Sequence, residues 1–315
     1  MEKAKKIVVF YYTQTGQALD ILKSMNQPLV EAGHQVVYKE IVPERPFPFL
    51  WSKNNFFEVF PEARLGIPPY GIREIDLSDV QDADLVMVGG QSWYLSPSLP
   101  LQSFFLSPTI KEYLKGKSII FVNGCRNMWL MTIRKIRKYV AEAGGNLVGH
   151  IVLQDYVANL VSVITVIRWL FYGKKEASSI WPRAGVSEED IHSASRFGCI
   201  IDKALQLDNW SDLQEQLMAA DAIKYKPGVV YIEKVGHRIF GLWAKFIRRK
   251  GEYENPDRAF RVKLFSWYLI FILFAISPIG LLVFYLTYPI RIFFIGRQKR
   301  EACYSLSWKP GDSVE

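Results

Sequence analysis

Ile7-Val8-Val9-Phe10-Tyr11-Tyr12-Thr13-Gln14-Thr15-Gly16-Gln17-Ala18-Leu19-Asp20-Ile21-Leu22-Lys23-Ser24-Met25 is the stretch whose reading decides the fold. Its first six residues are β-branched or aromatic with no polar alternation, the composition of a strand buried on both faces in a parallel sheet. A polar turn follows at once, and Ala18, Ile21, Leu22 and Met25 then fall at helical spacing. Strand, short loop and helix recur outward from there. His34 to Ile41 and Asp84 to Gly89 predict the next two strands, and Lys117 to Asn123 and Asn146 to Leu153 the fourth and fifth. A basic amphipathic helix over Met131 to Ala143 separates the last two. Residues 43–80 interrupt the series with an insertion rich in proline and aromatic residues. The alternation predicts an α/β unit over residues 1–155, a doubly wound parallel sheet of five strands. The ligand of such a sheet sits beyond the carboxyl ends of its strands.

After residue 155 the character changes. Residues 156–255 predict a helical extension that partly faces a membrane, because Leu160 to Phe171 is apolar apart from Arg168. Ser187-Glu188-Glu189-Asp190 opens a further helix to about Leu207, its carboxylates placed to favour the helix dipole. Residues 264–290 carry no charge at all, and the run exceeds the ~20 residues needed to cross a hydrocarbon core. Aromatic residues crowd it, including Trp267, Tyr268, Tyr285 and Tyr288, as at lipid interfaces. Basic residues flank it on both sides, Arg258, Arg261 and Lys263 before it and Arg291, Arg297, Lys299 and Arg300 after it. Since positive flanks mark the cytoplasmic side, a re-entrant hairpin turning at Ser277-Pro278-Ile279-Gly280 is the favoured reading of this membrane segment. One kinked span and a buried helix pair are its alternatives. Residues 291–315 then form a basic cytoplasmic tail.

The whole chain of 315 residues is 50% hydrophobic and 22% charged, which excludes a disordered or collagen-like polymer. Its 39 basic against 31 acidic residues give a net charge of +8. With a membrane segment present, that charge reads as attraction to anionic headgroups, and nucleic acid is not called for as a partner. Three scattered cysteines fit a reducing compartment, and four separated histidines offer no metal site. The first residues lack the apolar core of a secretory signal. Together these place the protein at the cytoplasmic face of the inner membrane, attached through its C-terminal segment.

Three loops at the carboxyl edge of the sheet carry the candidate chemistry. Thr13, Gln14, Thr15, Gly16 and Gln17 offer hydroxyls, carboxamides and backbone N–H groups at a helix N-terminus, an arrangement that holds a phosphate. An ordinary polar turn with a hydroxyl cap would read the same. The spacing matches neither a dinucleotide loop nor a triphosphate loop. Gln91, Ser92, Trp93, Tyr94 and Leu95 follow the third strand and bring two aromatic rings that can stack on a planar cofactor, or simply pack the loop. Asn123, Gly124, Cys125, Arg126, Asn127 and Met128 follow the fourth. Cys125 and Arg126 are the catalytic candidates. Arg126 favours a Cys125 thiolate that could act as base or nucleophile, and its guanidinium could hold an enolate oxygen. Inert packing for the cysteine and solvation for the arginine are the plainer roles.

These residues resemble the flavodoxin-like family of FMN-binding proteins. The family's phosphate loop reads Ser/Thr-x-Thr-Gly-x-Thr, which Thr13, Thr15, Gly16 and Gln17 match in turn, with Ala18 standing where a threonine is usual. Its second flavin loop, often Pro-Thr-Trp-Tyr, looks like Gln91 to Tyr94. The resemblance implies FMN as cofactor, Trp93 or Tyr94 stacked on the isoalloxazine and residues 124–128 along the ring's polar edge. Tyr11 to Gln17, Asn123 to Trp129 and Asn159 to Thr165 are similar, more closely, to bacterial dialkylresorcinol-condensing enzymes, the aromatase component of dialkylresorcinol biosynthesis. That likeness implies oxidation of a lipophilic cyclic 1,3-dione to a dialkylresorcinol, a ketosynthase partner and a substrate that partitions into lipid. A flavin-dependent quinone or NAD(P)H oxidoreductase and a non-catalytic membrane scaffold are the alternatives.

Overall fold

The sheet forms around β1 (Lys6–Tyr11), whose central residues Ile7, Val8, Val9 and Phe10 are 0% exposed. Burial on both faces explains why the strand lacks polar alternation. The computed structural model describes residues 4–308. The remaining strands are β2 (Gln35–Glu40), β3 (Leu85–Trp93), the short β4 (Ser96–Pro97), β5 (Ser118–Cys125) and β6 (Asn146–Gln154). β1 pairs in parallel with β2 and β3, with Ile7 opposite Val36 and Leu85, and β5 joins β3 to β6 in the same sense. The order β2-β1-β3-β5-β6 is the flavodoxin-like order, with its switch point between β1 and β3. β4 only pairs antiparallel with the end of β3.

Helices cover both faces. The first eight are α1 (Gln17–Glu31), α2 (Lys53–Glu58), α3 (Phe60–Leu65), α4 (Leu99–Leu106), α5 (Pro108–Leu114), α6 (Leu130–Glu142), α7 (Asn159–Tyr172) and α8 (Glu188–His192). The rest are α9 (Ser195–Leu207), α10 (Leu213–Ala219), α11 (Pro227–Arg248), α12 (Ala259–Phe271), α13 (Ser277–Leu286) and α14 (Tyr288–Tyr304). Two consecutive glycines show how closely they pack. A Cβ on Gly89 would come within 2.5 Å of Leu22 on α1, and one on Gly90 within 2.7 Å of Leu101 on α4. Neighbouring strand residues point to opposite faces, so α1 and α4 lie on opposite sides of β3. α9 packs on α1, so the layer beside α1 is completed from beyond residue 155. The main core accordingly runs from Ile7 through Phe197, Leu213 and Leu217 to Cys303.

The apolar segment departs from the expected hairpin. Pro256 to Leu286 is one continuous helical run, long and apolar enough to cross a membrane, with no turn at Ser277 to Gly280. A π-helical stretch over Ile272–Ile276 lies directly before Ser277 and Pro278. Proline has no N–H to donate and crowds the preceding turn, and a local widening of the helix accommodates both defects. Residues 291–304 likewise belong to α14, which returns to the α/β core, where Ala302 and Cys303 are buried. Residues 309–315 of the expected tail lie outside the described residues.

Candidate functional site

The three loops meet at one cavity of about 270 Å³ at the carboxyl edge of β1, β3 and β5. That volume is just below the ~300–1,000 Å³ usual for small-molecule sites. Gln14, Thr15, Gln17, Gln91, Ser92, Trp93, Tyr94, Gly124, Cys125 and Arg126 line it. Thr13, Gly16, Leu95, Asn123, Asn127 and Met128 stand around it in the same loops without lining it.

The first loop turns into α1 through Gly16, whose φ of 84° is a left-handed conformation that glycine adopts without cost. The Thr13 hydroxyl is buried and has no hydrogen-bond partner among the described residues. A buried hydroxyl without a partner next to a helix N-terminus fits an anion acceptor at this loop. The Gln17 side chain is engaged elsewhere. Its side chain donates to the Val186 carbonyl (3.2 Å) and accepts from the Val186 N–H (3.1 Å), so both ends of the amide tie α1 to the loop before α8. Gln14 accepts from the Gln91 amide at 3.1 Å, joining the first loop to the second.

The second loop is mostly strand. β3 continues through Gln91, Ser92 and Trp93, and Tyr94 and Leu95 make a two-residue turn into β4 with φ of 49° and 62°. Left-handed backbone at two bulky residues is strained, and such strain collects at functional sites. Of the two rings, Tyr94 is the more fixed. Its hydroxyl donates to the Phe56 carbonyl at 2.5 Å, and its ring meets Phe56 and Phe60. Trp93 is held by edge contacts with Tyr12, Phe47 and Trp51. Ser92 is committed to structure: it exchanges hydrogen bonds with Asn123 (3.0 Å) and Thr132 (2.8 Å), which fastens β3 to β5 and α6.

The third loop supplies the charge. Arg126 donates to the Asn159 carbonyl (2.8 Å), the Asn159 side-chain oxygen (2.8 Å) and Ser162 Oγ (3.1 Å). Asn127 shares the same Asn159 oxygen at 2.5 Å. Burial lowers the Arg126 pKa to about 10, with Asp155 and Cys125 opposing, and the group stays cationic at neutral pH. The thiolate expected at Cys125 is not supported. Burial, and after it the charge of Glu233, push the thiol well above its ordinary value, and Arg126 pulls the other way without offsetting them. A neutral thiol is neither base nor nucleophile, so Cys125 is a lining residue.

Residues from outside the three loops complete the walls. Trp51, Phe56 and Val59 come from the insertion, and Val166, Trp169 and Leu170 from α7. Asp155, directly after β6, is the one carboxylate of the lining among the described residues and is only 1% exposed. Burial raises its carboxyl above the ordinary range, while hydrogen bonds from the N–H groups of Val157 (2.9 Å) and Gly185 (3.3 Å) and the charge of Arg126 hold it down. An acidic residue closing an apolar strand at the ligand edge was the available sequence signal for Asp155. No local signal marks Trp51 or Trp169, whose place depends on how the insertion and α7 fold back.

No protein-family model matches the chain, and no curated protein matches it. Among solved structures it is similar to a flavodoxin from the domain Archaea, at 13% identity and a TM-score of 0.37 over 64% of this chain and 99% of that one. A flavoprotein in complex with FMN from Lactobacillus acidophilus NCFM gives 18% and 0.39 over 47% of this chain and 93% of the other. RosB with a bound 8-demethyl-8-formylriboflavin-5'-phosphate intermediate gives 10% and 0.38 over 71% and 92%. The fold class rests on the strand order and register.

Proposed function

We propose that the protein is a membrane-associated FMN-dependent oxidoreductase that aromatises a lipophilic cyclic 1,3-dione to a dialkylresorcinol. The observation that carries this reading is the convergence of the phosphate-type loop, Arg126 and Asp155 on one cavity whose remaining walls are largely aromatic and aliphatic and continuous with an exposed apolar helix. The continuity is made of ring contacts. Phe56 lines the cavity and meets Phe57, Phe57 meets Phe265 of α12, and Phe265 stacks on Phe60 at 3.7 Å.

FMN fits the residues present. Thr13, Thr15 and Gly16 would hold its phosphate, the Thr13 hydroxyl gaining the partner it lacks. Trp93, Tyr94 and Gly124 would border its ring. Converting a cyclohexane-1,3-dione to a resorcinol removes two electrons and two protons, and bound flavin supplies the acceptor for a hydride. The rest falls to the chain. Arg126, fixed by Asn159 and Ser162, presents a cation to a dione or enolate oxygen. Asp155, the sole lining carboxylate, is the acceptor for the second proton at its Oδ atoms. The apolar walls would receive the alkyl substituents. A ketosynthase that assembles the dione is the partner this reading implies.

The test is the visible spectrum of detergent-purified protein, followed by anaerobic incubation with a 2,5-dialkylcyclohexane-1,3-dione. A flavin spectrum near one FMN per chain, bleached by the dione with one resorcinol formed per flavin, is the expected result. Protein that stays colourless after reconstitution with FMN overturns the cofactor. A flavin bleached by NAD(P)H and reoxidised by quinones, yet inert to diones, overturns the substrate.

A further inference from the structure

We infer that the apolar segment is seated in a single leaflet, as an anchor lying along the protein body, and does not cross the bilayer. The inference rests on the membrane attachment proposed above and is independent of flavin binding. Helix pairing comes first. Trp243 of α11 meets Phe265 and Tyr268, Ile232 approaches Gly280 and Tyr231 meets Phe284, so rising numbers on α12–α13 run against falling numbers on α11. The two are antiparallel neighbours over their whole length. α11 in turn belongs to the body. Its Glu233 accepts from the backbone N–H groups of Trp129 (3.2 Å) and Met131 (2.8 Å), and α11 also packs on α3. An apolar helix laid flat on such a partner cannot enter the bilayer end-on without drawing α11 and its buried carboxylate in with it.

Both ends of the segment are also fastened to the same body. At the start, Arg258 is 0% exposed and donates to both oxygens of Glu62 (2.7 and 2.8 Å) and to the Glu58 carbonyl (2.7 Å). At the finish, Arg137 donates to the Ala302 carbonyl (2.9 Å) and Gln214 to that of Cys303 (2.8 Å). From Tyr288 to Ala302 the return along α14 covers only ~21 Å at ~1.5 Å per residue. That is short of the ~30 Å hydrocarbon core. A crossing would therefore leave Arg297, Lys299 and Arg300 in hydrocarbon or pull Cys303 out of the core.

What faces outward has the chemistry of a lipid contact. The most apolar window of the segment is only 11% buried. Trp267 (65%), Phe271 (58%), Leu282 (59%), Leu286 (72%) and Phe293 (84%) are exposed along α12 to α14. Arg261 and Lys263 at one end and Arg297, Lys299 and Arg300 at the other rim this face with positive charge, which selects an anionic leaflet over a second copy of the same basic chain.

The experiment uses the full chain with peptide tags at both termini, reconstituted into phosphatidylglycerol–phosphatidylcholine vesicles. Flotation with the vesicles, together with complete removal of both tags by protease added outside, is the expected result. Trp267, isolated by subtracting a Trp267→Phe spectrum, is expected to be quenched more by lipids brominated near the headgroup than by lipids brominated at the chain ends. Phe293→Glu together with Phe294→Glu changes exposed residues only, and is expected to lower flotation at least tenfold with the far-ultraviolet spectrum unchanged. A C-terminal tag protected from protease overturns the single-leaflet seating while leaving attachment standing. A detergent-free oligomer that covers the face and does not float overturns attachment and seating together, and neither result bears on flavin content.

Discussion

Replacing Thr13 by valine has two consequences of opposite sign. The Thr13 hydroxyl is buried without a hydrogen-bond partner among the described residues. In flavin-free protein, a methyl group of the same shape removes an unsatisfied polar atom, a change worth about 1 kcal/mol of added stability where the loop borders solvent. At ~2 °C per kcal/mol for a chain of this size, the thermal midpoint rises by roughly 2 °C. Toward FMN the sign reverses. The hydroxyl gives up no protein bond when it donates to a phosphate, so the full ~1.5–3 kcal/mol of a hydrogen bond to a charged acceptor is lost in the variant. That corresponds to a Kd weaker by roughly tenfold to a hundredfold. The assay is a titration of stripped protein with FMN, followed by quenching of flavin fluorescence, beside thermal unfolding of the same stripped sample. A Kd within threefold of the parent, or a flavin-free variant that melts several degrees lower, refutes the placement of the phosphate at this loop.

Two further perturbations test the frame around the site. Arg258→Met strips Glu62, itself 1% exposed, of its bidentate partner and leaves it Arg248 at 3.1 Å, so denaturant unfolding in detergent should show a loss of ~3–5 kcal/mol. Adding Glu62→Gln should recover at least half of that loss, and a single-variant cost below ~1 kcal/mol would show that the pair does not hold α12 to the wall of the cavity. Lys135 is buried among the carbonyls of Ala63 and Arg64 and the side chain of Gln102, and burial, reinforced by Arg64 and Lys138, lowers its pKa to about 7. The unfolded chain holds this proton up to the ordinary value of 10.5, so between pH 7 and 10.5 it binds more protons than the folded chain and stability rises with pH. Lys135→Met should flatten that rise in urea unfolding, and an unchanged slope would assign it to other groups.

The strand, loop and helix of Ile7 to Met25 were legible because burial on both faces removes polar alternation from a strand, a constraint written in adjacent residues. The same holds for β3 and β5, where the glycines at 89, 90 and 124 sit beneath neighbouring side chains. What sequence order hides is which polar groups are already engaged. Gln17 reads as a phosphate ligand, yet its amide is taken up by Val186, which lies 169 residues away. Cys125 next to Arg126 reads as an activated thiol, but adjacency says nothing of burial, and burial decides its protonation. The Pro278-Ile279-Gly280 break reads as the tip of a hairpin because basic residues flank the segment on both sides. The π-helical stretch just before it carries this helix through, and nothing in the local sequence announces that.

The long apolar segment and the cavity are usually thought of as separate equipment, an anchor and an active site. Here they share a wall. Phe265 belongs to the segment and stacks on Phe60, which also meets Tyr94, and Tyr94 lines the cavity through a strained turn. Displacing α12 therefore removes packing from the turn that fixes Trp93 and Tyr94. A water-soluble enzyme would have no use for an aromatic wall backed by an exposed apolar helix, because the exposed side costs solubility and contributes nothing to substrate capture. Under the proposed function the wall has a use, because a substrate with alkyl chains would be concentrated in the leaflet that the helix faces. The shared aromatic wall, with Trp51, Phe56 and Leu170 along the cavity, is what the proposed redox site fed from lipid requires.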